Sequence, residues 1–298
     1  MIDKELIDKV KRVQLWARHL ANDALTGDYT SVFKGVGMEF DDLRKYLPGD
    51  DIKHIDWKVT ARTREPHVKM YKEERDQTIL LMVDVSGSQY FGLKGEREKI
   101  SAAAELAALF AILATRTKDR VGLLLFSDHV EAHVPPASGR AHVFRIVRDV
   151  LTHKGRSGGT NIAAAVKEAM QSLARRSLVV LISDFQDAGY RASLSQLSAR
   201  HDLVCAGVFD EAEKRPPKGQ VGLGLYDPET GELIGDSYEV GPASGQDADS
   251  LNLSEADATR FAGALRSIGA SGFLIDTRVD VSKPLISFLK EREARARS

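Results

Sequence analysis

The run Ile79-Leu80-Leu81-Met82-Val83 is apolar without a break and ends on Asp84, after which Val85-Ser86-Gly87-Ser88 brings a hydroxyl at every second residue. A strand with one wet face alternates apolar and polar residues. An unbroken run of this length predicts a strand covered on both faces. Three further segments share the character: Val121–Phe126, Leu178–Ser183 (followed at once by Asp184) and Leu203–Phe209. Helical spacing fills the gaps, over 100–117, 141–151, 162–174 and 194–200. Val130–Val134 is predicted to pair beside the second strand, Phe273–Ile275 is a last short strand, and Pro284–Arg292 a terminal helix. Short buried strands alternating with helices imply βαβ units. The expected fold is α/β, with a doubly wound, mostly parallel sheet.

Outward from this core the pattern weakens. Residues 2–21 place Ile2, Leu6, Val10, Val13, Ala17 and Leu20 at spacings of three or four, which predicts an amphipathic helix. Leu25–Gly37 reads as a loop. Residues 38–65 mix charges with isolated aromatics (Phe40, Tyr46, Trp57) around a Pro48-Gly49 turn and show no clean period. An irregular, partly helical segment held against the main body by those aromatics is expected. Its charges form either a solvated face or, the preferred reading because Trp57, Tyr46 and Phe40 are interleaved with them, a buried ion-pair and hydrogen-bond network. Pro66–Glu74 alternates as an edge strand would. On the other side, residues 211–253 break the βα rhythm: Val221–Tyr226 and Leu233–Val240 flank Asp227-Pro228-Glu229-Thr230-Gly231, a β-hairpin signature. Gly241–Ser250 is a polar loop, and Ser254 with Asp257 opens a helix to about Ile268. The expected organisation is an N-terminal helical and irregular extension over 1–76 and an α/β domain over 77–298 with a hairpin insertion at 211–253.

Composition narrows the function. The 298 residues carry 42 Lys plus Arg against 43 Asp plus Glu, a net charge of −1. This argues against binding nucleic acid by bulk attraction and leaves room only for a local basic patch. One cysteine, Cys205, excludes an internal disulfide framework and a cysteine-rich zinc site; it reads as a core residue. The eight histidines show no ligand spacing: His129 and His133 lie four apart, but Pro135-Pro136 follows and the context is strand-like. The first residues alternate charges with aliphatics, unlike a signal peptide. The longest apolar run, Leu106–Ala114, is too short for a membrane span. A cytoplasmic location is expected.

Three pieces carry chemistry. Asp84-Val85-Ser86-Gly87-Ser88 follows one buried strand, Gly158-Gly159-Thr160-Asn161 precedes a helix, and Ser183-Asp184 ends another strand. All three fall at the carboxyl edge of a parallel sheet, where open α/β sheets bind ligands. The groups on offer are hard oxygens, suited to Mg²⁺ or Mn²⁺. Ser86, Ser88 and Thr160 are expected as direct or near-direct ligands. Asp84 and Asp184 are expected to balance charge, partly through water, which leaves a position open for an outside carboxylate. Rival readings exist for each: Asp84 and Ser86–Ser88 as caps of a helix after the strand, Thr160 as the cap of the following helix, and Asp184 as a cap or the partner of a buried Arg. Asp187 is either an acid that supports the site or, the favoured reading, a solvated one.

The Asp-x-Ser-x-Ser…Thr…Asp arrangement resembles the metal-ion-dependent adhesion site (MIDAS) of von Willebrand factor A-type domains, a Rossmann-like fold. A second resemblance is carried by the run from Gly35 to Asp51 (Gly-Val-Gly-Met-Glu-Phe-Asp-Asp-Leu-Arg-Lys-Tyr-Leu-Pro-Gly-Asp-Asp), then Ile55-Asp56-Trp57-Lys58, Thr60-Ala61-Arg62 and Tyr71-Lys72-Glu73-Glu74-Arg75. This resembles the domain-of-unknown-function 58 family. The resemblance implies a von Willebrand A-like domain behind an N-terminal extension, and a MoxR-type AAA+ ATPase partner in protein assembly or maturation. Many members carry transmembrane segments ahead of the hallmark, where this chain has its amphipathic helix. Gln89 stands where relatives often have Met.

The resulting expectation is a non-enzymatic, metal-dependent protein-binding module, an adaptor or co-chaperone, with specificity set by loops 87–98, 127–139, 153–160 and 185–192. A metal-dependent hydrolase or phosphatase is the alternative. It lacks the second acid of an Asp-x-Asp motif, a nucleophile elbow, a phosphate-binding Gly-rich loop and a placed histidine base. A scaffold with a vestigial metal site is the third reading.

Overall fold

The computed structural model describes residues 38–48, 50–73, 77–90, 98–153, 159–210, 225–226, 233–235 and 258–297. The expected 2–21 helix, the 25–37 and 241–250 loops and the 254–257 helix start lie outside them. Near the N-terminus β1 (Met38–Lys45) pairs antiparallel with β2 (His67–Glu73) in a sheet of their own. Between them lie a 3-10 turn, Ile52–His54, and α1 (Trp57–Thr63). The Asp51 carboxylate accepts the Lys53 N–H, and that of Asp56 accepts the N–H groups of Lys58 and Val59, so both acids are N-caps.

This corrects the expectation of an irregular segment. The alternation of β1 is invisible in sequence because a bulge shifts its register between Phe40 and Asp42. Trp57 is 65% exposed, so it does not brace the segment. The Arg44–Asp50 and Lys45–Glu65 pairs, each at 2.6 Å, sit at or near the surface, which favours the solvated reading over a buried network. The strand expected within Pro66–Glu74 is present as β2, an edge strand of the two-stranded sheet it forms with β1.

The main body follows the alternating pattern: β3 (Thr78–Asp84), α2 (Lys99–Thr117), β4 (Arg120–Phe126), β5 (Val130–Ala137), α3 (Arg140–Thr152), α4 (Ile162–Ser172), β6 (Leu178–Ser183), α5 (Arg191–Arg200), β7 (Asp202–Phe209), α6 (Ala258–Ser267), β10 (Ser271–Asp276) and α7 (Ser282–Arg297). In the insertion, β8 (Leu225–Tyr226) and β9 (Leu233–Gly235) pair antiparallel, the expected hairpin in its described part. The sheet order is β10-β7-β6-β3-β4-β5, parallel throughout except for β5.

The unbroken apolar run of β3 is explained by its two covers. Ile79, Leu81 and Val83 pack with α2, α3 and α7, whereas Leu80 and Met82 pack with α4, α5 and α6. Cys205 lies in the second layer, and burial pushes its thiol well above the ordinary range. At Gly272 an added Cβ would lie 2.2 Å from the Cys205 carbonyl oxygen and 2.4 Å from Leu265, so only glycine lets β10 and α6 close on β7. Among the described residues no helix is long and apolar enough to cross a membrane.

The chain leaves β3 through α2 toward β4 and leaves β6 through α5 toward β7, on opposite sides. Between the carboxyl ends of β3 and β6 the strand order reverses. That is the crevice in which such sheets bind ligands.

Candidate functional site

Register brings the first and third pieces together. Val83 is paired with Ile182, so the next residues, Asp84 and Ser183, are neighbours across the crevice. The Ser183 hydroxyl donates to Asp84 Oδ2 at 2.6 Å, and the Ser86 N–H donates to Oδ1 at 2.9 Å. The chain then tightens into a 3-10 turn, Gly87–Tyr90, and the Ser86 and Ser88 hydroxyls lie 3.1 Å apart. Asp84, Ser86, Ser88 and Asp184 are all buried. Burial raises the Asp84 carboxyl to about 7; the nearby charge of Asp184 adds to this, and the hydrogen bonds from Ser183 and Ser86 offset part of it.

Asp184 is placed by an uncommon backbone. Phe185 has φ of 56°, the left-handed region that a bulky residue rarely adopts. It is held there by its N–H bond to the Ser183 hydroxyl at 2.9 Å and by ring packing on Phe261 and Tyr190, at 5.5 and 6.0 Å. Strain of about 1–3 kcal/mol at such a residue persists only where surroundings over-determine it. Asp184 Oδ1 accepts the Gln186 N–H at 3.3 Å, and Oδ2 accepts from Lys99 Nζ at 2.7 Å. The rival reading of Asp184 as a cap or the partner of a buried Arg matches the backbone N–H it accepts and the buried cation it meets, but that cation is Lys99.

Thr160 reaches the same edge by a different route. The Asn161 N–H donates to the Ser127 carbonyl, beyond the end of β4, at 2.8 Å. The cap of α4 is Asn161, whose side chain accepts the Ala164 N–H; the reading of Thr160 as that cap is thereby corrected. Asp187 is not simply solvated. It is partly buried, and its carboxylate accepts the Ile162 N–H at 2.8 Å and the Ala188 N–H at 2.7 Å, tying the loop after β6 to the start of α4. Burial raises its carboxyl, with those two bonds opposing. The structure thus links Asp84 with Ser86, and Ser86 with Ser88, sets Asp184 one residue beyond the Ser183 that donates to Asp84, and leaves Thr160 half-buried beside the Asn161 that is tied to the end of β4.

A further tie supports the turn. The Tyr90 hydroxyl donates to the His153 carbonyl at 2.6 Å, and His153 Nε2 lies 2.6 Å from the buried Glu131 carboxylate. Burial alone would push the Glu131 carboxyl up; hydrogen bonds from Ser127 and His153 outweigh it and hold it low. His129 lies in the β4–β5 turn and His133 on β5, so the two share no helical face.

Among the described residues no group of three or more His, Cys, Asp or Glu side chains gathers as metal ligands. A cation at this edge would draw on two acids and several hydroxyls. That donor set fits a hard cation such as Mg²⁺ in oxygen type and number, the acids acting largely through water. Lys99 is the group such a set would not be expected to contain. Sequence reading missed it because Lys99 closes a run of alternating charges, Lys94 to Lys99, which reads as solvated. Its position just before the Ala/Leu-rich helix was the available signal.

Residues 42–236, more than half of the chain, match the family described as Protein of unknown function DUF58. The chain belongs to this family. Uncharacterized proteins of Mycobacterium bovis and Mycobacterium tuberculosis are 29% identical to it over 295 residues, covering 97% of this chain and 90% of theirs. Among solved structures, the conserved hypothetical protein BatB from Bacteroides thetaiotaomicron is similar over 74% of this chain and 100% of its own, with 15% identity and a TM-score of 0.47. The SpRpn10 VWA domain is similar over 70% of this chain and 93% of its own, with 11% identity and a TM-score of 0.42. The fold of this DUF58 protein, with its reversal of strand order between β3 and β6, is a doubly wound, mostly parallel α/β architecture.

Proposed function

We propose that this DUF58 protein is a non-enzymatic protein-binding module whose sheet edge carries a MIDAS-type metal site. Mg²⁺ or Mn²⁺ is held by Asp84, Ser86, Ser88, Thr160 and Asp184, and an Asp or Glu of the partner completes the shell. The observation that supports the reading is that Asp84, Ser86, Ser88 and Asp184 lie buried at the switch point, at the ends of β3 and β6, while the Thr160 segment is tied to the end of β4 beside them. What the metal supplies is a fixed positive point that a partner carboxylate can bridge. What the chain supplies is orientation: Ser183 and the Ser86 N–H aim Asp84, the strained Phe185 backbone aims Asp184, and Asp187 and Asn161 hold the Thr160 segment in place.

The proposed partner is a MoxR-type AAA+ ATPase, a client of it, or both. This part rests on the family resemblance. The test is a pull-down from native lysate with Mg²⁺ or with EDTA, using wild type and Asp84→Ala. Retention of an identified AAA+ ATPase by wild type in Mg²⁺ alone is the expected result. The same ATPase in all four lanes sinks the metal bridge. It would then redirect the search to the N-terminal segment, where Leu47, Ile52 and Trp57 are exposed.

A further inference from the structure

Lys99 opens α2 with its side chain fully buried, and its Nζ lies 2.7 Å from Asp184 Oδ2. A lysine is almost never fully buried unless an opposite charge meets it. Around it the edge is already satisfied from within. Asp84 accepts from Ser86 and Ser183, and the Ser86 and Ser88 hydroxyls face each other at hydrogen-bond distance. With both carboxyls ionised, as a bound cation requires, two buried acids and one buried ammonium leave a single net negative charge. A divalent ion entering here meets an ammonium of like sign on one of the two acids it needs.

We propose that Lys99 is a tethered rival of the divalent cation. It holds Asp184 when no metal is present and lowers the affinity of the site for metal. The inference rests on the metal-site reading above and deepens it. A site built this way is folded and neutralised in part without metal, and it loads fully when a partner carboxylate brings the negative charge that offsets Lys99. Metal and acidic partner then bind cooperatively, each raising the affinity for the other by the same factor.

The test uses the full chain and Mn²⁺ alone as probe, with wild type, Lys99→Met and Lys99→Gln. Direct titration gives the dissociation constant, and thermal melting in EDTA and in excess Mg²⁺ gives a second readout. Removing a like charge from beside the metal is expected to tighten Mn²⁺ binding by about tenfold or more in both variants. Lys99→Met should melt below wild type in EDTA, because Asp184 is left buried without its counter-charge, and should gain more from Mg²⁺ than wild type does. Lys99→Gln retains a donor toward Asp184 without the charge and serves if Lys99→Met does not fold in EDTA. Equal affinity in all three proteins, or weaker binding in the variants, overturns the rivalry while the metal site stands. No Mn²⁺ binding by any of them overturns the metal-site reading as well.

Discussion

The Gln89 side chain is fully buried in the turn beside Ser88, and among the described residues neither its amide nitrogen nor its amide oxygen meets a hydrogen-bond partner. A buried amide left without partners costs about 1–3 kcal/mol. Met has a similar length and no such demand, and it fills irregular space readily. Gln89→Met is therefore expected to raise the denaturant midpoint by that order, with an unchanged m value. A lower midpoint would mean that the amide is satisfied and that the cavity is polar. At this scale the sequence was legible where spacing encodes geometry. Asp84, Ser86 and Ser88 follow a strand end at alternate residues, and Asp184 follows another, so their convergence could be read. Lys99 and Asp187 could not. Whether a charge is buried depends on what folds over it, and both sit in stretches that look solvated.

His201 joins two elements, and its environment makes the joint sensitive to pH. Its N–H caps α5 by donating to Leu197, and its Nδ1 accepts the Ser177 N–H, just before β6, at 3.3 Å. Burial lowers the imidazole pKa, with the charges of Arg200 and Arg176 adding to the effect. The folded state therefore binds a proton less readily than the unfolded chain, whose histidines titrate near 6.5. The contribution is complete above that value and is lost as pH falls below it toward the depressed folded value. Between pH 7 and pH 5 the melting temperature of wild type should fall relative to that of His201→Asn, which keeps an acceptor for Ser177 but does not titrate; the buried Asp84, raised to about 7, acts in the opposite direction in both proteins. Equal slopes for the two proteins would remove His201 from the account. Elements whose burial is two-sided were the most legible, β3, β4, β6 and β7 among them, because both covers print one apolar run. β1 was not, because its bulge breaks the alternation that identifies a strand.

For the whole molecule, the two-layer cover sets a gradient of stability. The central strands β3 and β6 have a sheet neighbour on each side and helices on both faces, and their apolar residues are fully buried. In the β1–β2 unit Val68 is the residue that reaches core burial among the side chains described, and Leu47, Ile52 and Trp57 stay exposed. Local opening needs less free energy where less apolar surface is buried. Amides of β3 and β6 should therefore exchange with solvent deuterium only through global unfolding, with a denaturant dependence equal to that of the whole protein. Amides of β1 and β2 should exchange through a smaller opening at lower denaturant. The unit can then yield without disturbing the edge where Asp84 and Asp184 meet, because that edge is anchored by β3 and β6. Protection of β1 and β2 equal to that of β3 would show the opposite, that the unit unfolds only with the sheet. In that case a substitution such as Trp57→Ala, expected here to change stability by less than about 0.5 kcal/mol as an exposed site, would be felt in the melting of the whole chain.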